Sequence, residues 1–417
     1  MKMKILHVIP SISRRRGGPS VAALEMVAAL RDRGVDARIL TTNDDGPGLL
    51  QELPIGSWTE WEGVPVLAFP RWSPPLKPLR EFAISLAFNR WLAAHLGDFD
   101  LLHVHALFSW PSTSAMAQAR RAGVPYALST IGQLCRWSLA HHSRRKRLLL
   151  SLIDHRNLAG AASLHFTTNS EREEASDLSL PTPSFVLPLG VHLPGHAIPT
   201  DDDQAHQPSS ATPCRFLFLS RLHPKKQLEN LLDALALLRE RQPKACWLLQ
   251  IAGDGDPAYL NSLRQRVRRL QLDEHLQWLG YVEGEQKWRT LAAADWFVLP
   301  SASENFGIAA IEALAAGTPV ILSPGVAVAE AITAAGAGRL CDPEPHALSS
   351  DLEASLAGPP AAMRTAAMDL AATAYSWPAI AARLDSTYAS LLLEHNRSRQ
   401  AHTSENGVNN TLPELKP

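Results

Sequence analysis

The chain alternates short apolar runs with longer amphipathic stretches, and this alternation occurs in two series. The first series starts with KILHVIP, VAALEMVAALRDRG and ARILTTN, and the second restarts with CRFLFLSRL at residue 214. Short apolar runs favour buried strands, and stretches with a helical period favour helices that pack on them. Two such series predict an α/β fold with two parallel sheets, each covered by helices.

The segment between the two series, residues 195–213, is rich in proline and polar residues, a composition typical of an exposed connection. Because 417 residues exceed one ordinary core, we predict two doubly wound, Rossmann-like domains facing across a cleft. Ligands of such sheets bind beyond the carboxyl ends of the strands. The predicted divisions are an N-terminal domain (1–194), a linker (195–213), a C-terminal domain (214–375), a helix crossing back to the first domain (376–393) and a flexible tail (394–417).

The composition narrows the classes of partner. Lysine and arginine number 40 and aspartate and glutamate 41, so no global positive charge favours nucleic acid as a partner. The four cysteines lie far apart without metal-type spacing, which favours a reduced, cytoplasmic setting. No stretch approaches the roughly 20 apolar residues of a spanning helix. The segment MKMKILHVIPSI could be a weak signal peptide, but His7 and Pro10 interrupt its apolar run and Arg14 to Arg16 follow it, so we interpret it as a first strand.

The segment PSASENFGIAAIEALAAGTPVI, residues 300–321, carries two acids in small, apolar surroundings. Glu304 is predicted in the loop after the strand WFVLP, and Glu312 on the following helix. Two helical positions eight residues apart are separated by about 12 Å, so the pair could hold different parts of one extended ligand. The helix start near Phe306 to Ile308 offers free N–H groups to an anion or a sugar hydroxyl. The alternative is that the acids complement the helix dipole and face solvent.

Two further loops follow predicted strands. SRLHPKKQ places Arg221 and Lys226 between a strand and a helix, where such cations can neutralise phosphates without a metal; a solvated basic loop is the alternative. In AGDGD, Gly253 permits a close backbone approach, although a simple turn explains it equally well. Asp254 and Asp256 of this loop form an acid-x-acid pair that could hold a divalent ion, as Asp98 and Asp100 do earlier.

Two positions in the first half are candidates as well. Gly18 lies between the first strand and the first helix, at a phosphate-loop position, yet neither G-x-G-x-x-G nor a P-loop lysine is present. A plain turn is the alternative there. His105 ends the strand LLHVHA and is predicted to point toward the cleft, with a purely structural histidine as the alternative.

Together, SRLHPKKQLENLL, AGDGD, LGYV, LPSASENFGIAAIEALAAGTPVI and YSWPAIAARLDSTYASLL resemble the retaining GT-B glycosyltransferases of family four, also called group 1, over residues 214–390. The resemblance implies a hexosyltransferase-type enzyme that takes a sugar from a nucleotide-diphosphate sugar with retention and without a metal or cofactor. The acceptor would be a glycan or a lipid-linked saccharide, in polysaccharide or glycolipid biosynthesis. It makes 1–194 the acceptor-side domain and 214–375 the donor-binding domain.

The resemblance also assigns roles residue by residue. Glu304 would contact hydroxyls of the donor sugar, and Glu312 would hold the ribose of the nucleotide. Arg221 and Lys226 would stabilise the departing phosphate. The catalytic residues implied are Arg221, Lys226, Glu304 and His105, the last near the transferred sugar. The donor-binding residues implied are Gly18, Gly253, Val282 against the base, the backbone of Phe306, Gly307 and Ile308, and Glu312. Ser220 and Gln227 stand where the family usually has glycine, and LPLGV replaces its P-N-G-V.

Residues 138–158 mix basic and apolar side chains in a predicted helix. Such a helix could rest on an anionic membrane surface, which would place the protein peripherally at the inner membrane face. A solvated helix that packs its leucines on the sheet is the alternative.

Two other functions compete with sugar transfer, namely a nucleotide-sugar epimerase on the same fold and a non-catalytic nucleotide-sugar-binding protein. A dinucleotide oxidoreductase is disfavoured because the first β-α turn lacks the glycine fingerprint.

Overall fold

The computed structural model describes residues 2–140, 154–194 and 212–408, and the chain divides into two compact units. Unit 1 comprises Met1–Leu187 together with Ile380–Pro417, and unit 2 comprises Pro188–Ala379. Each unit is built on one large, predominantly parallel sheet. The predicted α/β class with two parallel-sheet domains is therefore confirmed.

Unit 1 contains an eight-stranded sheet in the order β10-β9-β8-β7-β1-β2-β6-β5. Its pairs are parallel except for β5 and β6, which are antiparallel. The strands of this unit are β1 (Lys4–Val8), β2 (Asp36–Thr42), β3 (Asp44–Asp45), β4 (Gly48–Leu49), β5 (Trp58–Trp61), β6 (Val64–Phe69), β7 (Leu101–His105), β8 (Tyr126–Ser129), β9 (Ser163–Phe166) and β10 (Ser184–Val186). The helices are Gly18–Asp32, Lys77–Glu81, Leu86–His95, Trp110–Ala122, Arg136–Ala140, His155–Ala159 and Asn169–Ser176.

Unit 2 contains a six-stranded, all-parallel sheet in the order β13-β12-β11-β14-β15-β16. The strands are β11 (Cys214–Leu219), β12 (Trp247–Ala252), β13 (Leu276–Gly280), β14 (Trp296–Leu299), β15 (Val320–Leu322) and β16 (Gly338–Leu340). The helices are Leu228–Arg241, Pro257–Arg269, Gly284–Ala292, Ile308–Ala315, Ala329–Ala334, Pro345–Glu353 and Ala361–Leu370, and a π-helical turn spans Ala371–Tyr375.

Strands β14 and β15 of unit 2 read as continuous apolar runs, as expected for strands of a parallel sheet that is covered on both faces. All four residues of β14 are buried, and β15 is buried throughout. The helix Leu228–Arg241 buries Leu231, Leu235 and Leu238, which recur at intervals of three and four residues and so form one apolar face. Polar residues follow these two strands in the loops at their carboxyl ends, which is where ligands of parallel sheets bind.

The last helix runs from Trp377 to Val408, and so continues past residue 394, at which the sequence predicts the start of a flexible tail. Its residues from Ile380 onward group with unit 1. Most of the predicted linker, residues 195–211, lies outside the described residues. So does the middle of the predicted basic helix, residues 141–153, with the short helices Arg136–Ala140 and His155–Ala159 on either side. No helix among the described residues is long and apolar enough to cross a bilayer.

Candidate active site

A cavity of about 780 Å³ opens in unit 2 at the carboxyl ends of its strands. Each of the loops after β11, β12, β13 and β14 contributes to its lining, as the rule for parallel sheets predicts. Nine of the positions implied by the sequence lie in unit 2, and eight of these line the cavity: Arg221, Lys226, Gly253, Val282, Glu304, Gly307, Ile308 and Glu312. The ninth, Phe306, has its ring buried against Tyr375 at 6.1 Å between centroids.

Glu304 is held by its own backbone. Its N–H donates to Gly325 O at 2.7 Å, and its carbonyl accepts from Ala327 N–H at 3.1 Å, so the loop after β14 is joined to the loop after β15. Three residues later, Gly307 adopts φ +89° and begins the helix Ile308–Ala315. The first amide groups of a helix have no acceptor within it, so this start presents N–H donors and positive partial charge to the cavity.

Lys226 forms an ion pair with Glu304, and both side chains are largely buried. The lysine lies in a short 3₁₀ turn, Pro224–Lys226, which is tied to the glutamate's loop because Lys225 O accepts from Ala302 N–H at 2.9 Å. Gln227 then takes a left-handed conformation with φ +52°, at the position where the resemblance implied glycine. A non-glycine residue tolerates that conformation at some cost, so the turn keeps its shape without the glycine.

Burial, together with the nearby charges of Lys225 and Arg221, lowers the pKa of Lys226 to about 8. The contact with Glu304 opposes this shift, because a carboxylate favours the charged form of an amine. The Lys226 amine is therefore mostly protonated at neutral pH, and its charge is sensitive to changes in the groups around it. A phosphate oxygen that reached it would find a cation with little competing water.

Glu312 pairs with Lys287, whose Nζ lies 2.6 Å from Oε1. Lys287 comes from the helix Gly284–Ala292, which follows β13, and it also lines the cavity. The sequence patterns do not single out Lys287. The available signal was its place in the first turn of a helix that follows a strand, in the segment after LGYV.

The glycine at position 253 is required by a close approach between two loops of the protein itself. Gly253 has φ +137°, and a Cβ there would lie 1.9 Å from Ser220 O. In the same loop a Cβ at Gly255 would lie 2.3 Å from Leu222 O. The loops after β11 and β12 therefore pack backbone to backbone, which holds Arg221 at the mouth of the cavity.

Replacing Gly253 by alanine is expected to lower the midpoint of thermal unfolding by several degrees, because the methyl group would displace the Ser220 carbonyl and strain the backbone. Differential scanning calorimetry measures the shift. Gly97→Ala is the matched control, since a Cβ at Gly97 meets nothing within 4 Å. An unchanged midpoint for Gly253→Ala would contradict the assigned packing.

The acid-x-acid pair of this loop, Asp254 and Asp256, accepts hydrogen bonds from backbone N–H groups. Asp256 caps the helix Pro257–Arg269, where its Oδ1 accepts from Ala258 N–H at 2.9 Å and from Tyr259 N–H at 3.1 Å. Asp254 Oδ1 accepts from Gly255 N–H at 2.7 Å. The two carboxylates therefore serve the backbone of the loop and the helix cap.

The two remaining predicted positions lie in unit 1. Gly18 is the first residue of the helix Gly18–Asp32 and is exposed, and a Cβ there would meet nothing within 4 Å. Its glycine identity is therefore not demanded by packing among the described residues. His105 ends β7 and is 3% exposed, with its Nε2 3.0 Å from Nδ1 of His7. The roles of both residues in donor or sugar binding stay predictions.

Comparison with known proteins assigns both halves of the chain. Residues 17–190 match the glycosyl transferase 4-like domain, and residues 200–369 match the family described as glycosyl transferases group 1. The chain is 29% identical over 235 residues to the D-inositol 3-phosphate glycosyltransferase of Jonesia denitrificans, an alignment that covers 54% of this chain and 55% of that relative. In this match the chain therefore spans about half the length of the relative.

A longer match is the phosphatidyl-myo-inositol mannosyltransferase of Mycobacterium tuberculosis, 29% identical over 72% of this chain and 75% of the relative. Among solved structures, the Anabaena protein HepE in complex with UDP-glucose superposes with a TM-score of 0.63 at 19% identity, covering 93% of this chain and all of the other. At that identity the likeness shows the fold. The two family matches, the relatives and the shared fold agree, and the chain therefore belongs to the group 1 family of GT-B glycosyltransferases.

Proposed function

We propose that this glycosyltransferase takes its sugar from a nucleotide-diphosphate sugar and transfers it with retention of the anomeric configuration, without a metal ion. The observation that carries the proposal is the lining of the unit 2 cavity. Its lining combines a helix N-terminus with three cations and four carboxylates, namely Arg221, Lys226, Lys287, Asp254, Glu283, Glu304 and Glu312. An extended ligand with a central diphosphate and hydroxyl groups at both ends is complementary to that order of charges.

Each cavity residue is assigned to one part of the donor. Arg221, Lys226 and the helix start at Ile308 are assigned to the diphosphate, because anions bind at helix N-termini and to buried cations. Glu304 is assigned to hydroxyls of the sugar, since its carboxylate adjoins Lys226. Glu312 is assigned to the ribose hydroxyls. Lys287 contacts Glu312 at 2.6 Å and orients that carboxylate.

The same arrangement supports the reaction. When the bond between the anomeric carbon and the phosphate oxygen breaks, negative charge develops on the diphosphate and positive charge on the sugar. Fixed cations on the leaving side lower the barrier for that separation. The acceptor hydroxyl forms the new bond to the anomeric carbon on the face that the phosphate leaves, and its proton passes to a phosphate oxygen. The step requires no protein nucleophile.

We assign the acceptor to unit 1, in which Gly18 is assigned to the donor phosphates or the acceptor and His105 to the transferred sugar. The acceptors proposed are a glycan or a lipid-linked saccharide, in polysaccharide or glycolipid biosynthesis. Support comes from the relatives, which are named for inositol phosphate and for phosphatidyl-myo-inositol. Two further points stay predictions from the sequence: contact of residues 138–158 with an anionic membrane, and a cytoplasmic location. Co-sedimentation with anionic vesicles tests the membrane contact.

A thermal-shift panel tests the donor. Nucleotide-diphosphate sugars and the matching nucleoside diphosphates are expected to raise the unfolding midpoint, because a ligand of the folded state stabilises it in proportion to affinity. The corresponding nucleosides, which lack phosphates, are expected to leave it unchanged. Product analysis with the stabilising donor and an acceptor then separates transfer from epimerisation: a glycosylated acceptor of retained configuration supports the proposal, and an epimerised free donor overturns it.

The pH dependence of the reaction follows from Lys226. Because its pKa is lowered to about 8, the ammonium is present below that pH and is lost as the pH rises through it. We expect kcat/KM, which reports on the free enzyme, to fall above about pH 8. In Lys226→Arg the fall is expected at much higher pH, because a guanidinium stays charged. A wild-type kcat/KM that stays flat to about pH 10 would contradict the role of this ammonium.

A further inference from the structure

Four histidines and one tyrosine are buried side by side in unit 1. His7 lies on β1, His103 and His105 on β7, and His165 on β9. The register pairs His7 with His103, and it pairs Ser129 of β8 with both His105 and His165. Paired residues share a face of the sheet, and so do residues two apart on one strand, so all four histidines lie on the same face. Tyr388 reaches them from the last helix. Four of the five side chains are 0% exposed, and His105 is 3% exposed. Buried polar rings are costly unless their nitrogens are paired.

The direction of the hydrogen bonds is fixed at one end by a backbone carbonyl. His165 Nε2 lies 2.7 Å from Leu187 O, and a carbonyl oxygen only accepts, so this nitrogen carries the proton. In a neutral ring the other nitrogen is then an acceptor. His165 Nδ1 therefore accepts from His103 Nε2 at 3.3 Å, which assigns the proton of His103 to its Nε2 as well.

The same reasoning continues through the tyrosine. His103 Nδ1, now an acceptor, lies 2.6 Å from the Tyr388 hydroxyl, which must donate to it. The tyrosine oxygen then accepts from His7 Nε2 at 3.4 Å. His7 Nδ1 is left as the acceptor for His105 Nε2 at 3.0 Å. Every bond thus points the same way, from His105 to Leu187.

Neutral rings are what this chain of bonds requires, since a doubly protonated imidazole has no acceptor. Burial lowers the pKa of all four histidines, that of His7 to about 3. Burial also raises the pKa of Tyr388, which keeps its hydroxyl protonated. The end of the chain is Nδ1 of His105, which has no hydrogen-bond partner among the described residues and lies at the carboxyl edge of β7.

We propose that these five side chains, the histidine relay, hold His105 as its Nε2–H tautomer and so present Nδ1 as a hydrogen-bond acceptor to the ligand of unit 1. An acceptor nitrogen binds a hydroxyl group and is repelled by phosphate or carboxylate oxygens. His105 therefore selects a sugar or acceptor hydroxyl, and His7, Tyr388, His103 and His165 are positioning residues. The identity of the ligand rests on the proposed function, whereas the tautomers do not.

A metal site is the competing interpretation of the same cluster. Ring nitrogens of His7, His103 and His105 lie within 4.8 Å of one another. A metal needs a free lone pair from each ligand. In the relay, however, the lone pairs of His7 Nδ1 and His103 Nδ1 accept hydrogen bonds, and only the lone pair of His105 Nδ1 is available among these three. Metal binding would have to break the relay.

Nitrogen NMR of the full-length protein labelled in its histidines tests the tautomers directly. Long-range proton–nitrogen correlations distinguish Nε2–H from Nδ1–H rings, and single His→Gln variants assign the signals. We expect all four histidines to be Nε2–H at neutral pH and to be unchanged by zinc at a stoichiometric ratio. An Nδ1–H signal for His105, or loss of the Nε2–H signals on adding zinc, would overturn the relay.

Tyr388→Phe interrupts the relay at its centre by removing one hydroxyl. The His7 and His105 signals are expected to become mixtures of tautomers, and kcat to fall about tenfold while the affinity for the nucleotide is unchanged. Tyr126→Phe is the matched control, because it also removes a buried hydroxyl of unit 1, one bonded to Asn157 O. If Tyr388→Phe does not fold, His7→Gln replaces it. Unchanged His105 signals in Tyr388→Phe or His7→Gln would refute the relay. Intact tautomers without sugar transfer in the wild type would refute only the proposed function.

Discussion

Replacing Lys226 by methionine is expected to lower kcat/KM for sugar transfer by about 100-fold, equivalent to about 3 kcal/mol, the usual loss when one preorganised donor to a developing anion is removed. The side chain keeps its length and loses its charge. Lys226 is expected to have this large effect because it is mostly withdrawn from water, so that its charge acts on the leaving diphosphate with little screening. Steady-state kinetics with the donor identified in the thermal-shift panel measure the change.

Lys225→Met is the control for this experiment. Lys225 is the neighbouring residue on the same 3₁₀ turn, it carries the same charge, and it is not among the residues that line the cavity. Its replacement is expected to change kcat/KM by less than about threefold. Equal losses in the two variants would show that the turn contributes only general positive charge, and near-normal activity of Lys226→Met would remove the assigned role altogether.

Replacing Glu304 by glutamine is expected to lower kcat by about 10- to 100-fold, because a charged hydrogen bond to a sugar hydroxyl is worth about 1.5–3 kcal/mol. The substitution preserves the shape of the side chain and the backbone bonds to Gly325 and Ala327. It also removes the counter-charge of Lys226. We therefore expect a nucleoside diphosphate without the sugar to bind at least as tightly as to the wild type, a result that isothermal titration calorimetry would give.

Two comparisons make this prediction specific. Glu330→Gln changes an exposed glutamate of the helix Ala329–Ala334 and is expected to leave kcat and binding unaltered. In Glu304→Gln the pKa of Lys226 should fall further, because its carboxylate partner is gone, so the basic limb of the kcat/KM profile should move to lower pH. Weaker binding of the nucleoside diphosphate together with an unchanged kcat would place Glu304 on the nucleotide and contradict the assignment.

The residues assigned to the donor were largely predictable because they follow strands. Glu304 and Glu312 belong to one loop-helix segment, and Arg221 and Lys226 to another, so local sequence already placed them at the carboxyl ends of β14 and β11. What the sequence could not supply was their pairing. The strand order of unit 2 sets β11 beside β14, and that adjacency brings Lys226 to Glu304.

Other contacts depended wholly on tertiary structure. From the sequence, Gly253 indicates a close backbone approach to a ligand or a simple turn, whereas its close neighbour in the structure is the Ser220 carbonyl of an adjacent loop. In the sequence His105 is a lone strand-end histidine, whereas in the structure it belongs to a network that includes Tyr388, which bonds His103 from 285 residues away. Lys287 was missed because nothing in its own segment indicates that Glu312 lies opposite.

The sequence by itself determined the fold class, the two series of strands and helices, and the loops in which chemistry was expected. It could do so because strand and helix periods arise from backbone geometry over a few residues. Only the tertiary structure decided which charges neutralise each other and which nitrogen of His105 is free. Those outcomes depend on distances between atoms far apart in the chain, which are fixed by the order of strands in each sheet and by the packing of the last helix.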